Sequence, residues 1–342
     1  MAQRQCILYY IIVVLDILVL FGVIGDSRLF TKDEELPPHK DAIKTIKTEY
    51  GDMYDCVDFY KQPSLDHPLL KNHNFHPEMR PTTVPKAQRG KEVSQKEREL
   101  ILDGMRLKDG GCPKGSVPIR RMPKHGAVRP PITSLHHLHH TNSSNYIRPG
   151  TFFAIAQTKN DIMKGHYGVG ASISSYHPQL LSPVQYSSAE VIIKAARDSI
   201  TVGTTVNPSV YKDNLTRFFV YTVVNGKPCF DGECGFISVR TDIPPSFPIK
   251  DLTTRGGPIF SQNMLVSHDP RNKNWWLEVN GEVIGFWSSQ LFYGLANSGT
   301  YIACGGEVYY PGQKNAPEMG CGFKPQRRRR LKYVSYCNQF VR

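Results

Sequence analysis

The chain has 342 residues, a length that allows a large core and predicts two structural units. Its composition, with many Gly, Pro and Tyr residues, favours β structure with frequent turns over a helical bundle. The net charge is +12, but the chain has no basic stripe interleaved with aromatic residues, which argues against nucleic-acid binding. The basic run Arg327–Arg330 is typical of a solvated loop.

An apolar run, Cys6 to Gly25, follows Arg4 and resembles a secretory signal peptide, so we assign residues 1–25 to that role. Asp16 inside the run argues against a stable spanning helix, and a retained signal anchor is the alternative. No other stretch is long and apolar enough to cross a bilayer. We therefore expect a secreted, extracellular protein, with the cell wall or a vacuole as destinations, and no stable membrane span.

Two segments precede the main unit. Residues 26–125 are predicted to form a small mixed unit with a helical pattern at Val93–Met105. Residues 126–145 are rich in Pro and small polar residues, which predicts a linker. Its four clustered histidines fit either an exposed polar loop or an acid-sensitive hinge. They are His136, His137, His139 and His140.

Strand patterns with recurring turn signals follow from Tyr146 to the end of the chain. The predicted strands are Thr151–Gln157, Gly165–Ser174, Ser188–Ala195, Ser199–Val206, Arg217–Val224, Gly235–Arg240, Ile259–His268, Trp275–Val279, Val283–Trp287 and Tyr301–Tyr309. Asn280-Gly281 predicts a hairpin turn, and Gln290–Ala296 a short helix capped by Ser288 or Ser289. The fold class predicted for residues 146–342 is therefore all-β, an antiparallel double-sheet sandwich.

The last of these strands contains a carboxylate beside two glycines. Ile302 and Cys304 alternate with Ala303 and Glu307, so Glu307 is predicted to lie on the face opposite the core. Glycines inside a strand often mark a close approach to the backbone. Glu307 is therefore either a solvated surface residue or part of a site.

Secretion would allow disulfides among the cysteines beyond the signal segment. Cys229 and Cys234 form the most plausible pair, because they close a short loop between strands. Two further pairings are plausible but cannot be deduced from spacing, Cys56 with Cys112 and Cys321 with Cys337. Cys304 is then predicted to be a buried free thiol.

Two further sequence signals allow glycosylation but do not require it. Asn142 and Asn214 begin glycosylation sequons. No Cys/His spacing predicts a zinc site, so we expect neither a metal nor a cofactor.

Five segments in order carry a family resemblance. They are DCVDFYKQPSLDHPLLKNH, CPKGSVPIRR, VNPSVYKDNLTRFF, DPRNKNWWLEVNGEVIGFW and CGGEVYY. Together they resemble the plant neprosin family, with its activation-peptide domain followed by the neprosin domain. The resemblance implies a secreted glutamic peptidase zymogen that cuts beside proline, is self-activated in acid, and has a β-sandwich of two antiparallel sheets.

The resemblance also implies two catalytic glutamates. Hydrolysis of an amide by carboxyl groups needs one to take a proton from water and another to protonate the amine or stabilise the oxyanion. Glu307 matches one family glutamate, but the other family position is Thr201 here, and Thr204 stands where the family has Trp. A threonine hydroxyl does not ionise in this pH range and can only form hydrogen bonds.

Glu190 is the candidate substitute for the missing carboxylate, at a position where the family tends to have Gln. If Ala196 pairs with Ser199, Glu190 pairs with Thr205, four residues from Thr201. Four residues span roughly 13 Å along a strand, which is too far for Glu190 to replace the carboxylate missing at Thr201 in that register. The sequence leaves the register of the hairpin open, so Glu190 stays a candidate.

We therefore expect an incomplete dyad with little or no peptidase activity, in a monomer whose partners are proline-containing polypeptides. Tyr309, Tyr221 and Trp287 are the candidate aromatic contacts for prolyl rings. One alternative is an active acid prolyl endopeptidase that uses Glu307 with Glu190. Another is a structural extracellular protein whose cleft is unused.

Overall fold

A computed structural model describes residues 37–83, 102–121, 149–158, 164–233, 235–312, 315–322, 335 and 337–341. The signal segment, the predicted linker with its histidines, Asn142 and most of the predicted helix Val93–Met105 lie outside these ranges. The described residues from 38 onward form one compact unit. None of the helices in the described ranges is long and apolar enough to cross a membrane.

The described part contains three antiparallel sheets. The first, the small sheet, has the order β1-β2-β3, with β1 at Ala42–Lys47, β2 at Met53–Asp58 and β3 at Ser116–Arg120.

The second, the front sheet, has the order β4-β14-β6-β7-β8-β9. Its strands are β4 (Thr151–Gln157), β6 (Tyr186–Ala195), β7 (Asp198–Val206), β8 (Arg217–Val224), β9 (Lys227–Phe230) and β14 (Tyr301–Tyr309). The third, the back sheet, has the order β10-β13-β12-β11-β5-β15. Its strands are β5 (Gly168–Ser174), β10 (Ile237–Ser238), β11 (Ser261–Asp269), β12 (Asn274–Val279), β13 (Glu282–Ser288) and β15 (Cys337–Val341).

The front and back sheets pack as a sandwich, which confirms the predicted fold class. One set of alternate residues on each strand enters a shared core, as with Val191 and Val202 of the front sheet and Val266 of the back sheet. Trp287 of β13 crosses the core, where its Nε1 donates to Thr222 Oγ1 on β8 (2.9 Å). The opposite face of the front sheet takes no part in this shared core.

The described residues that precede the sandwich, 37–83 and 102–121, include the small sheet and are called the N-terminal unit below. This part of the compact unit packs on the sandwich through specific contacts. The side-chain amide of Gln62 donates to Ser238 O, and Gln62 Oε1 accepts from the Ser238 backbone N–H (2.9 Å). Phe75 packs edge-on against Phe286 with ring centroids 5.0 Å apart. Cys112 donates its backbone N–H to Thr241 O (2.8 Å). These contacts join the unit to the back sheet and its adjoining loop.

Most predicted strands are present with shifts at their ends. The Asn280-Gly281 turn is confirmed, because both residues have positive φ, 53° and 82°, as a tight hairpin requires. The predicted helix at Gln290–Ala296 is instead two short 3-10 segments, Ser289–Leu291 and Gly294–Ala296. Ser288 caps the first of them, as one of the two predicted alternatives.

Two of the cysteine predictions are wrong. Cys304 is not a free thiol but forms a disulfide with Cys337, so the predicted pairing of Cys337 with Cys321 is also wrong. The reason is topological: β14 and β15 belong to opposite sheets, and their core-facing cysteines meet across the sandwich.

Of the other two predicted disulfides, one is confirmed and one stays a prediction. The pairing of Cys56 with Cys112 is confirmed. Cys229 is disulfide-bonded. Its predicted partner Cys234 lies outside the described residues, so that pairing stays a prediction.

Candidate active site

The site face is the face of the front sheet that points away from the back sheet. The pairing register of β6 and β7 decides which residues are neighbours on this face, and the hairpin between these two strands sets it. Ala195 pairs with Asp198, which leaves a two-residue loop in which Ala196 has φ 50°. Glu190 therefore pairs with Gly203. The predicted pairing with Thr205 is wrong by two residues, because the two-residue loop is Ala196-Arg197 and not Arg197-Asp198, and a loop displaced by one residue shifts the pairing by two.

Glu190 and Glu307 lie on adjacent strands and on the same face. Glu190 pairs with Gly305, and Glu307 pairs with Ser188, so the two carboxylates are diagonal neighbours. Diagonal neighbours have backbones about 7–8 Å apart, a gap that glutamate side chains can close. Glu190 is 1% exposed and Glu307 is 0% exposed, so neither is a solvated surface residue.

Glycines flank Glu190 on both neighbouring strands. A Cβ at Gly203 would lie 2.2 Å from Ala189 O, and one at Gly305 would lie 2.2 Å from Ala154 O. Neither position can carry a side chain without a backbone shift. Glu190 therefore stands between two stretches of backbone that carry no side chain on this face.

Burial, and then the negative charge of Glu307, raise the pKa of Glu190 well above its usual value. Its Oε2 is buried and has no hydrogen-bond partner among the described residues. Glu307 differs, since the hydroxyl of Tyr186 donates a short hydrogen bond to its Oε1. A hydrogen bond of this kind favours the ionised carboxylate. The two glutamates are thus suited to opposite protonation states.

Thr201 lies close to this pair. It is two residues from Gly203 on the same face of β7, and it pairs with Ile192 and Tyr221. It is buried. Its hydroxyl can supply a hydrogen bond but not the chemistry of a carboxyl group.

A transverse row of residues joins Glu307 to the N-terminal unit. Ser188, Thr205 and Arg217 follow Glu307 across successive strands, and Ser188 Oγ donates to Thr205 Oγ1 (2.8 Å). Arg217 is fully buried, and its Nη1 donates to Asp52 Oδ2 of the N-terminal unit (2.8 Å). The N-terminal unit therefore contacts the front sheet in the same row as Glu307.

The three aromatic candidates have different locations. Tyr309 and Tyr221 belong to one buried aromatic cluster on the site face. The ring of Tyr309 stacks on that of Tyr186 with centroids 5.5 Å apart. Trp287 is not brought to this face, since it lies in the core between the sheets and packs on Phe236.

Sequence reasoning missed several residues of the site face, among them Tyr186 and Lys194. Tyr186 and Lys194 both follow the period-two alternation from Glu190, which is the signal that could have revealed them. Burial lowers the pKa of Lys194 to about 8.

The predicted sequon at Asn214 lies in an exposed loop. No group of three or more metal-ligating side chains occurs within the described ranges.

Together these features define a two-sheet β-sandwich with a buried carboxyl pair on one face and an N-terminal unit docked on it. The Neprosin activation peptide model matches residues 45–164, and the Neprosin model matches residues 183–341. The chain belongs to the neprosin family.

Solved structures give only distant likenesses. The galectin LEC-6 of Caenorhabditis elegans is 7% identical with a TM-score of 0.24, covering 47% of this chain and 94% of that chain. The beta-porphyranase BpGH16B from the human gut bacterium Bacteroides plebeius is 10% identical with a TM-score of 0.24, covering 52% of this chain and 61% of that chain. Neither likeness supports an argument about function.

Proposed function

We propose that this chain is the secreted precursor of an acid-acting endopeptidase in which Glu190 and Glu307 are the catalytic pair. The observation that carries the proposal is the diagonal placement of the two buried carboxyl groups on adjacent strands. Glu190 then takes over the role for which the family position, Thr201, has no carboxylate. Cleavage beside proline is what the family resemblance implies, and we propose it as the specificity.

Each member of the pair has one role. Glu307, held by Tyr186, takes a proton from a water molecule, and the water oxygen attacks the carbonyl carbon of the peptide bond. Glu190 is kept neutral by burial and by the charge of Glu307, so it has a proton to donate to the departing amine nitrogen. One water is consumed, and one carboxyl group and one amine are formed.

Burial of both carboxyl groups indicates that the described form is closed to a substrate. The match to an activation peptide supports a zymogen, and the bond from Arg217 to Asp52 supports an N-terminal unit that holds the closed form. Disulfides on both units support a secreted protein. Acid treatment is therefore part of the proposed route to an active form.

Incubation of the full chain at acid pH with a proline-containing peptide tests the proposal, with mass spectrometry of the products. We expect cleavage beside proline by the natural chain and none by Glu307→Gln. Glu282→Gln is the matched control, because Glu282 lies on the back sheet and bonds Arg240. No cleavage by the natural chain, or equal cleavage by Glu307→Gln, would contradict the proposal.

A second candidate is a peptide-binding protein without turnover. Thr201 favours this second candidate, because it places a hydroxyl where the family resemblance requires a carboxylate. This candidate predicts an inactive natural chain and a gain of cleavage in Thr201→Glu. The carboxyl-pair proposal predicts no gain, because a third buried carboxylate would disturb the charges of the existing pair.

A further inference from the structure

A second row of residues crosses the site face next to the carboxyl pair. Thr151 pairs with Tyr309, and Tyr309 pairs with Tyr186. Ser187 pairs with Val206, so one further step of the same register brings Asn207 opposite Tyr186. The row is therefore Thr151, Tyr309, Tyr186 and Asn207, with a stacked pair of rings between a hydroxyl and an amide.

Both ends of this row carry polar atoms without a hydrogen-bond partner among the described residues. Asn207 is 0% exposed, yet both its Oδ1 and its Nδ2 lack such a partner. Thr151 Oγ1 is in the same condition. Asn207 precedes a one-turn helix, Pro208–Tyr211, but its side chain does not cap that helix. A buried amide that does nothing for the fold is costly and needs another explanation.

We propose that this row is the subsite that hydrogen-bonds the main chain of a bound peptide, with Asn207 and Thr151 as its polar ends. The inference rests on the proposed peptidase function and deepens it. A primary amide offers one acceptor and a pair of donors, which match the N–H and C=O of a peptide unit. The stacked rings of Tyr186 and Tyr309 form the apolar floor between the two ends.

The length of the row fits this occupant. Three intervals between strands amount to about 14 Å, and an extended chain covers about 3.4 Å per residue, so about four residues span the row. Tyr309 is two residues from Glu307, or about 7 Å along β14. A peptide held in the row therefore has a neighbouring bond within reach of the carboxyl pair. Because the row is buried in the closed form, the subsite operates after acid treatment.

The test is a double-mutant cycle between Asn207 and the peptide main chain. The probe is a fluorescein-labelled octapeptide of Ala, Gln and one Pro, with a reduced CH₂–NH bond at the cleavage position, bound to the acid-treated full chain. Single N-methyl groups are placed at successive main-chain nitrogens. We expect one of the N-methyl groups to weaken binding to the natural chain about tenfold. The Asn207→Leu variant should bind the unmethylated probe about tenfold more weakly than the natural chain does. The same N-methyl group should then cause no further loss of affinity in that variant.

Two further variants complete the test. Thr151→Val should also weaken binding without lowering the melting temperature, and Asn207→Leu should melt no lower than the natural chain, because neither loses a bond seen in the fold. Ser187→Ala is the matched control, since Ser187 lies on the opposite face and its buried hydroxyl also has no hydrogen-bond partner within the described ranges. It should bind the probe like the natural chain.

Several outcomes would overturn the subsite. These are unchanged binding in Asn207→Leu and Thr151→Val, additive effects of Asn207→Leu and N-methylation, or no binding of the probe by the natural chain. Turnover of an ordinary octapeptide is measured in parallel. Turnover without the coupling would refute the subsite alone, and coupling without turnover would refute the peptidase and leave the subsite standing.

Discussion

The carboxyl groups of Glu190 and Glu307 occupy diagonal positions on β6 and β14, and the charge of Glu307 helps to raise the pKa of Glu190. Two carboxyl groups in this relationship titrate as a pair, because ionisation of one opposes ionisation of the other. The proposed chemistry needs that asymmetry, in which one group is charged while the other holds a proton.

Replacement of Tyr186 by Phe should change the pH profile of peptide cleavage. The Tyr186 hydroxyl donates to Glu307 Oε1, and its loss removes an interaction that favours the charged carboxylate. The acid limb of kcat against pH should therefore move to higher pH. The steady-state rate between pH 2 and 7 measures this shift. An unmoved acid limb would show that Tyr186 does not act through Glu307.

Replacement of Glu190 by Gln should alter how stability depends on pH. Burial, together with the charge of Glu307, raises the pKa of Glu190 in the folded chain, so the folded state holds a proton that the unfolded state releases. The stabilisation is complete below the ordinary carboxyl pKa and is lost as pH rises through the raised value. Relative to Glu190→Gln, the natural chain should therefore lose stability as pH rises. Urea unfolding of both chains, from the ordinary carboxyl pKa up to the raised pKa of Glu190, tests this prediction. If the free energies of unfolding of the two chains change in parallel with pH, the prediction is contradicted.

The ion pair between Asp52 and Arg217 should hold the N-terminal unit in place. Asp52 also accepts from Arg120 Nε (3.0 Å), and Arg217 is fully buried. Asp52→Asn should cost about 3–5 kcal/mol, the usual effect of removing one partner of a buried pair. Denaturant unfolding measures the loss, and acid release of the N-terminal unit should become faster.

The matched control for Asp52→Asn is Asp41→Asn. Asp41 pairs with Lys61, whose side chain is 59% exposed. A surface pair of this kind contributes about 0–1 kcal/mol. Equal effects of the two substitutions would show that the Asp52 pair has no special role in holding the unit.

The disulfide between Cys304 and Cys337 should tie the two sheets together. The two cysteines are 33 residues apart in the sequence, and the chain-entropy estimate for such a loop is about 3–4 kcal/mol. The double variant Cys304→Ala with Cys337→Ser should lose stability of that order in urea. Peptide mapping without reduction should recover the linked pair, whereas recovery of a Cys321–Cys337 link would contradict the assignment.

The sequence predicted the sandwich well because its strands are punctuated by recognisable turns. Asn280-Gly281 is the clearest case, since few other residue pairs accept positive φ at both positions. The alternation in β14 also placed Ile302 and Cys304 in the core and Glu307 on the other face. Such local signals depend only on neighbouring residues.

The site was harder to predict because its geometry depends on register. The β6–β7 loop is Ala196-Arg197, which carries no glycine or asparagine signal, so its position could not be read from the sequence. A displacement of this two-residue loop by one residue moved Glu190 from opposite Thr205 to opposite Gly203. The partner of Cys304 was hidden for a similar reason, because residue spacing does not reveal which sheet β15 joins.

The most direct test of the carboxyl pair is the rate of peptide cleavage by Glu190→Gln at acid pH, compared with the natural chain and with Thr201→Val. The account predicts that Glu190→Gln lowers kcat/KM by at least about 100-fold, the usual effect of losing a general acid. Thr201→Val should stay within about twofold of the natural chain, because Thr201 supplies no proton. A Glu190→Gln variant that cleaves as fast as the natural chain would contradict the account.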